Sequence, residues 1–386
     1  MSLDIGVYGA RGIPSTYSGY ETFLTVLLPA LARRGHDVTL YCRRGQFNDP
    51  APYRGVRRVL LPALRSFRLG TLSHAVPASL VARFRRHQVV FVVNIANVPA
   101  CLLGRATGQR TVLNTDGQEW IRGKWGRGAR AYWRLCARLA ARTTSALVAD
   151  STGMHDVYRQ EFSAESTVIP YCWTDLEPDE DPSPVMERFS LEPYRYFVVA
   201  ARLNPENNVA EIARGYVRSG VRDPLLVLGE ANYDSPVRAE LARLAGEFPT
   251  LRIHGHVDDR HTFATLVAYS SAYIHGHRVG GINPSLLEAM GSGANVIALD
   301  TVFNREALGP AGTYFSDFEQ QLADLIASAQ SEGAPAGIRQ REAARCRVRE
   351  VFSLEAVVDA YEELFVAVAR RCPWSTTSLS TRWYGE

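Results

Sequence analysis

Two doubly wound α/β domains in succession are the fold this sequence predicts, on three observations. Short apolar strands alternate with amphipathic helices from residue 3 to residue 170, an acidic and proline-rich stretch at 175–193 interrupts them, and the alternation resumes at residue 196. Strands and helices in strict alternation build parallel sheets covered by helices on both faces. At 386 residues the chain is too long for one ordinary core. It suits two domains of roughly 150–200 residues each.

In the first domain, residues 1–174, apolar runs of strand length fall at 3–8, 37–42, 56–61, 89–94, 111–114, 146–149 and 167–170. Between them, apolar residues at three- and four-residue spacing predict helices over 20–34, 72–86, 128–142 and 153–162. This is a Rossmann-like domain. Residues 175–193, with PDEDPSP at 178–184, read as an interdomain connection. The second Rossmann-like domain, 194–352, carries strands at 196–201, 225–228, 251–254, 272–275 and 294–299, and helices at 284–290 and 338–352. Residues 353–372 form a last helix with Val357, Val358, Tyr361, Leu364, Phe365 and Val368 on one face, before a tail at 373–386.

Composition narrows the function classes. The apolar fraction of 46% and charged fraction of 22% are those of a soluble globular protein, with no solenoid repeat or low-complexity tract. No apolar run is long enough to span a bilayer, and the chain enters its first strand without a secretory leader, so a cytoplasmic location is expected. Cys42, Cys101, Cys136, Cys172, Cys346 and Cys372 are scattered, which argues for buried thiols rather than zinc or a disulfide framework. The formal charge of +3 is too small to imply nucleic acid. Lys124 is the only lysine, so almost every cation is a guanidinium able to grip phosphate bidentately.

The most informative segment is 272–299, AYIHGHRVGGINPSLLEAMGSGANVIAL. It reads as strand, loop, helix, loop, strand, with Pro284 opening the helix and Gly291 and Gly293 ending it. A loop in that position sits at the carboxyl edge of a parallel sheet, where a helix N-terminus offers N–H groups to an anion. Residues 278–283 and the helix start Pro284, Ser285 and Leu286 are therefore expected to face a phosphate. Glu288, one turn on, could accept bonds from the vicinal hydroxyls of a ribose, or merely favour the helix dipole. His275 and His277 could reach phosphate or sugar, or pack against the neighbouring strand.

At these residues the chain resembles the donor-binding segment of the retaining GT-B glycosyltransferases of family 4, whose pattern is E-G-F-G-x4-E-A-M-x-x-G. Here Gly280, Gly281, Ile282 and Asn283 precede Glu288, Ala289, Met290 and Gly293. The second glutamate matches; the first, which contacts the donor sugar in the family, is Gly280. The resemblance implies the GT-B architecture, two Rossmann-like domains facing a central cleft that holds the active site, with the last helix crossing back to the first domain.

Three further motifs support it. GARGIPSTYSGYETF at 9–23 links the first strand to the first helix, and Gly19 would let backbone N–H groups approach a diphosphate. A tight strand–helix turn needs glycine for steric reasons as well. Its form, R-G-I-P-x-x-Y-x-G-x-E-T-F, resembles a bacterial rhamnosyltransferase subgroup. ARLNPENN at 201–208 places Arg202 at a strand end, where the family carries an arginine that neutralises the donor diphosphate, and puts Asn207 where the family carries a lysine. The other reading of Arg202 is a surface ion-pair residue. NTDGQEW at 114–120 puts Asp116 where relatives carry a histidine near the reacting sugar. Asp116 could take or orient the acceptor hydroxyl's proton, or be a turn residue before Gly117.

After it, Glu119, Trp120, Arg122, Lys124 and Trp125 lead into a helix with Arg130, Arg134, Arg138 and Arg142 on one face. A basic face with indoles could rest on an anionic membrane or hold a lipid pyrophosphate, and Arg65, Arg68, Arg83, Arg85 and Arg86 could serve the same surface. The other reading is a solvated helix face.

The resemblance implies retention of anomeric configuration by front-face displacement, with no protein nucleophile. It implies no cofactor beyond the nucleotide-diphosphate sugar and no metal; the acidic residues 179–181 lie in the connection. The favoured reaction moves L-rhamnose from dTDP-L-rhamnose to a lipid-linked saccharide of surface-polysaccharide assembly, with peripheral contact at the cytoplasmic membrane face. A UDP-sugar donor with a glycan or natural-product acceptor is the alternative; readings of other classes are a nucleotide-sugar epimerase and a non-catalytic sugar-nucleotide-binding subunit.

Overall fold

The computed structural model describes residues 1–15, 19–64, 66, 70–123, 125–230, 235–333, 337–371 and 383. They divide into two units, Met1–Cys172 with Leu354–Glu386 and Trp173–Ser353.

The first unit begins β1 (Asp4–Tyr8), α1 (Gly19–Arg33), β2 (Asp37–Arg43), β3 (Arg57–Leu61), α2 (Gly70–Phe84), β4 (Val89–Val93) and α3 (Val98–Ala106). It continues β5 (Thr111–Asn114), α4 (Arg127–Thr143), β6 (Ala146–Ala149), α5 (Thr152–Phe162) and β7 (Thr167–Val168). Its seven strands pair in the order β3-β2-β1-β4-β5-β6-β7, and every pair is parallel. Strands such as β4, Val-Val-Phe-Val-Val, are buried at every position because helices cover both faces. The nine-residue α3 was not expected from the sequence; it is too short for a clear apolar period.

The second unit runs α6 (Ser183–Phe189), β8 (Phe197–Ala200), α7 (Val209–Ser219), β9 (Leu225–Leu228), α8 (Pro236–Glu247), β10 (Leu251–Gly255) and α9 (Arg260–Ala268). Then follow β11 (Ala272–His275), α10 (Pro284–Ser292), β12 (Val296–Leu299), α11 (Val302–Leu308), β13 (Thr313–Phe315), α12 (Gln321–Glu332) and α13 (Ile338–Val351). Six parallel strands pair as β10-β9-β8-β11-β12-β13 over a core that includes Phe197, Ile212, Val227, Ile274, Ile297 and Phe315. The stretch read as an interdomain connection is in part ordered structure: Ser183 and Pro184 open α6, which buries Val185, Met186 and Phe189. Proline in the first helical turn starts a helix as readily as it breaks one.

The last helix, α14 (Leu354–Arg370), packs in the first unit. Its Tyr361 packs edge-on and its Phe365 tilted against Phe91 of β4, ring centroids 5.3 and 5.5 Å away, and Asp359 and Glu362 both pair with Arg34. Cys42, Cys101, Cys136 and Cys172 are buried, whereas Cys346 is exposed, so the expectation of buried thiols fails there; Cys372 lies outside the described residues. Among the described residues no helix is long and apolar enough to cross a membrane.

Candidate functional site

In the second unit the strand order reverses between β8 and β11, and both loops that carry the expected donor residues leave the sheet there. That point is where doubly wound sheets bind ligands. The two loops are stitched together. Asn207 Nδ2 donates to the Arg202 carbonyl at 2.7 Å, and Asn207 Oδ1 lies 2.7 Å from His277 Nδ1. Asn208 Nδ2 donates to the Gly276 carbonyl at 2.7 Å, and the Arg278 N–H to the Glu206 carbonyl at 3.1 Å. Gly276 makes this approach possible, since a Cβ there would stand 2.8 Å from the Asn207 carbonyl oxygen. Asn207 is buried, and its carboxamide holds the Arg202 turn. Arg202 itself is exposed at the strand end and has no side-chain partner among the described residues.

Asn283 caps α10, accepting from the Ser285 N–H and hydroxyl at 3.0 Å each. The Leu286 and Leu287 N–H groups both reach the Asn283 carbonyl, at 3.0 and 3.3 Å. Pro284 has no N–H, so the first-turn donors expected to be open to an anion are already engaged, a correction to that expectation. The helix dipole and the backbone of 279–282 remain on that side. Gly280 adopts φ +92°, a conformation that a glutamate at this position would hold only under strain. Gly281 and Leu286 are buried beneath the turn.

Glu288 is partly buried on α10, and burial pushes its carboxyl upward, opposed by Arg260, whose Nη2 lies 2.5 Å from Glu288 Oε1. The same nitrogen donates to Thr174 Oγ1. Sequence reasoning missed Arg260, which is 28 positions from Glu288 and meets it because α9 packs on α10. His275 is buried at the end of β11 with Nε2 lacking a hydrogen-bond partner among the described residues, and burial lowers its pKa to about 3. Burial thus favours the neutral imidazole, whose ring lies 6.0 Å from that of His277.

In the first unit the order reverses between β1 and β4. The loop after β1 is held by Glu21, fully buried in α1, which accepts from the Arg11 N–H at 2.9 Å and the Ser15 hydroxyl at 2.8 Å. Gly19 is the first residue of α1; Thr16, Tyr17 and Ser18 of the motif lie outside the described residues. Asp116 follows β5 with φ +55°, and its N–H donates to Asn114 Oδ1 at 2.9 Å. Asn94, at the end of β4 with φ +74°, donates to Asp116 Oδ2 at 3.2 Å. Left-handed asparagine and aspartate at two neighbouring strand ends mark a strained edge. Asn114 also donates to the Tyr361 phenol at 3.2 Å, so α14 braces the Asp116 turn. Asn94 and Tyr361 were not singled out from sequence.

The predicted acceptor or membrane surface is corrected. Trp120 is buried against Tyr158 and Phe162, and Glu119 is buried, accepting from Trp125 Nε1 at 2.5 Å and pairing with Arg122 Nε at 2.9 Å. Glu119 thus ties the 3-10 turn to the residues that follow it, and Trp120 anchors it on α5. Lys124 lies outside the described residues. On α4 the two residue types part: Arg130, Arg134, Arg138 and Arg142 are exposed, while Trp133 is buried.

Residues 17–177 match the family Glycosyltransferase Family 4. In fold the chain is similar to sucrose-phosphate synthase of Thermosynechococcus elongatus, with 17% identity, 95% of this chain and 100% of that chain covered, and a TM-score of 0.77. It is similar to Anabaena HepE, crystallised in complex with UDP, at 14% identity, 95% and 100% coverage and a TM-score of 0.71. It is also similar to a UDP-forming α,α-trehalose-phosphate synthase of Burkholderia vietnamiensis at 11% identity, 95% and 100% coverage and a TM-score of 0.71. No curated protein matches the sequence. Residues 17–177 thus match a glycosyltransferase family, and the whole chain has the two-domain GT-B fold of these structures.

Proposed function

We propose that this chain, with a glycosyltransferase family domain on the GT-B fold, transfers L-rhamnose from dTDP-L-rhamnose to a saccharide acceptor carried on a polyprenyl diphosphate. The observation that carries the donor half is the stitched pair of loops at the second unit's switch point, where an exposed Arg202 is held in place through Asn207 and His277. Arg202 meets the donor diphosphate and stabilises it as it departs. Glu288 takes the nucleotide's sugar hydroxyl. Gly280 leaves the space beside the donor sugar without a carboxylate, which suits a deoxysugar. The sugar's bond to the diphosphate breaks, the acceptor oxygen bonds the same carbon from the same face, and the acceptor proton leaves on the diphosphate. Asp116 orients that acceptor hydroxyl. No metal enters this scheme.

The rhamnose assignment rests on the resemblance of residues 11–23 to a rhamnosyltransferase subgroup. A UDP-sugar donor is the second reading, favoured by the UDP bound to HepE. The test is transfer to a polyprenyl-diphosphate saccharide from dTDP-L-rhamnose and from UDP-glucose, with chelator present. Saccharide gaining rhamnose and release of dTDP support the proposal; transfer from the UDP sugar alone replaces the donor, and product formed without any acceptor means an epimerase.

A further inference from the structure

The formal charge of +3 conceals a sharply uneven distribution. Between Asp49 and Asp150 the sequence carries 17 lysine and arginine residues and only two acids, Asp116 and Glu119. Glu119 is buried against Arg122. Helices α2, α3 and α4, all within this stretch, contain no acidic residue.

These three helices lie side by side. Ser79 of α2 donates to the Ala100 carbonyl of α3 at 3.0 Å, and Arg105 of α3 bonds the Arg142 carbonyl of α4. On α2, His74, Ala75, Ala78 and Ala82 face inward, whereas Val76, Leu80 and Phe84 stand outward at intervals of four, 42, 47 and 83% exposed. Such spacing makes one ridge along the helix. On the neighbouring α3, Leu102 and Leu103 are each 44% exposed. Arg83, Arg85 and Arg86 are exposed at the end of the ridge.

We infer that the outer face of α2 and α3 docks on an anionic lipid bilayer, α2 lying in the interface with Val76, Leu80 and Phe84 in the acyl boundary and the arginines on the headgroups. Charge complementarity selects this occupant. A second copy would oppose one arginine-rich face to another, and a nucleic acid would leave the apolar ridge without a partner. The inference stands on this surface alone, and the donor sugar does not enter it.

The test is co-sedimentation of the purified protein, without sugar nucleotide, with phosphatidylglycerol–phosphatidylcholine vesicles and with phosphatidylcholine vesicles. Binding is expected only to the anionic vesicles and should fall at high salt. Leu80→Asp with Phe84→Asp, and separately Arg83→Ser with Arg85→Ser and Arg86→Ser, each weaken it about tenfold or more. All five side chains are at least partly exposed, so the variants keep the wild-type melting temperature. Absence of vesicle binding overturns the inference, as does binding that survives the Leu80→Asp, Phe84→Asp change. RNA binding without lipid binding, or a dimer dispersed by Phe84→Asp, assigns the face to another partner and also overturns it.

Discussion

Arg260 Nη2 stands 2.5 Å from Glu288 Oε1, so the carboxylate expected to hold the nucleotide's sugar is already engaged by a cation on one oxygen. Glu288→Ala should weaken nucleoside-diphosphate affinity about 10- to 100-fold, the loss of a hydrogen bond to a charged group. With Oε1 on Arg260, only Oε2 would be left to accept from the proposed sugar, enough for the single hydroxyl of a 2′-deoxyribose. Wild-type protein should distinguish UDP from 2′-deoxy-UDP by less than about threefold, and Arg260→Met should raise the preference for UDP to about tenfold. Calorimetric titration with both nucleotides checks this; a ratio unchanged by Arg260→Met would remove Arg260 from nucleotide choice.

Arg202 and Asn207 divide the role that an arginine and a lysine share in the resembled pattern. Arg202→Met should lower kcat/KM about 10²- to 10³-fold, with Arg202→Lys recovering part of it. Restoring the family lysine should not help. Asn207 is buried and bonds both the Arg202 turn and His277, so Asn207→Lys buries an ammonium and breaks the stitch, lowering both the melting temperature and activity. An active, stable Asn207→Lys protein would contradict this division.

Asp116 separates an acceptor-orienting role from a turn role. If it positions the acceptor hydroxyl, Asp116→Asn should lower kcat by about 10²-fold or more while dTDP still binds, because Arg202 and Glu288 lie in the other unit. Tyr361→Phe, which removes the brace on Asn114, should lower kcat more mildly and cost about 1 kcal/mol of stability. Unchanged turnover in Asp116→Asn would leave Asp116 as a turn residue only.

Acid should destabilise the protein through two buried histidines. Burial lowers His275 from 6.5 to about 3, and burial with the nearby Arg43 lowers His74 to about 4. Because the unfolded chain takes up protons first, stability is at its plateau above pH 6.5 and falls as pH drops toward each folded value, levelling out below it. Each histidine should contribute a slope of about 1.4 kcal/mol per pH unit inside that window. Urea unfolding between pH 7 and 4.5 reads the slope. His275→Gln should remove about half of it, leaving the share of His74, and a slope unaffected by that change would mean His275 is not a titrating group.

The strand, loop and helix order of residues 272–299 was legible in sequence because its signals are local. Asn283 before Pro284, apolar residues at helical spacing and Gly293 at φ +79° define α10 within eleven residues. The placement of its loop at the carboxyl edge of a parallel sheet followed from the alternation of strands and helices, whereas the strand order that makes the switch point did not. The Arg260–Glu288 pair, the Asn94–Asp116 bond and the Tyr361 brace were not legible, since each joins side chains brought together only by helix packing or by parallel neighbours. Trp120 was read as surface from its basic neighbours, but its indole turns inward to Tyr158 and Phe162, and a short 3-10 turn gives no period that would reveal this.

The central claim, a nucleotide-sugar site built on Arg202 and Glu288 that selects a thymidine nucleotide, is tested most directly by melting the protein with dTDP, dTDP-rhamnose, UDP and GDP. At about a hundredfold over the dissociation constant, dTDP and dTDP-rhamnose should each raise Tm by roughly 5–10 °C, an effect lost in Glu288→Ala. Stabilisation by UDP or GDP but not by dTDP would contradict the thymidine assignment, and none by any nucleotide would contradict the site.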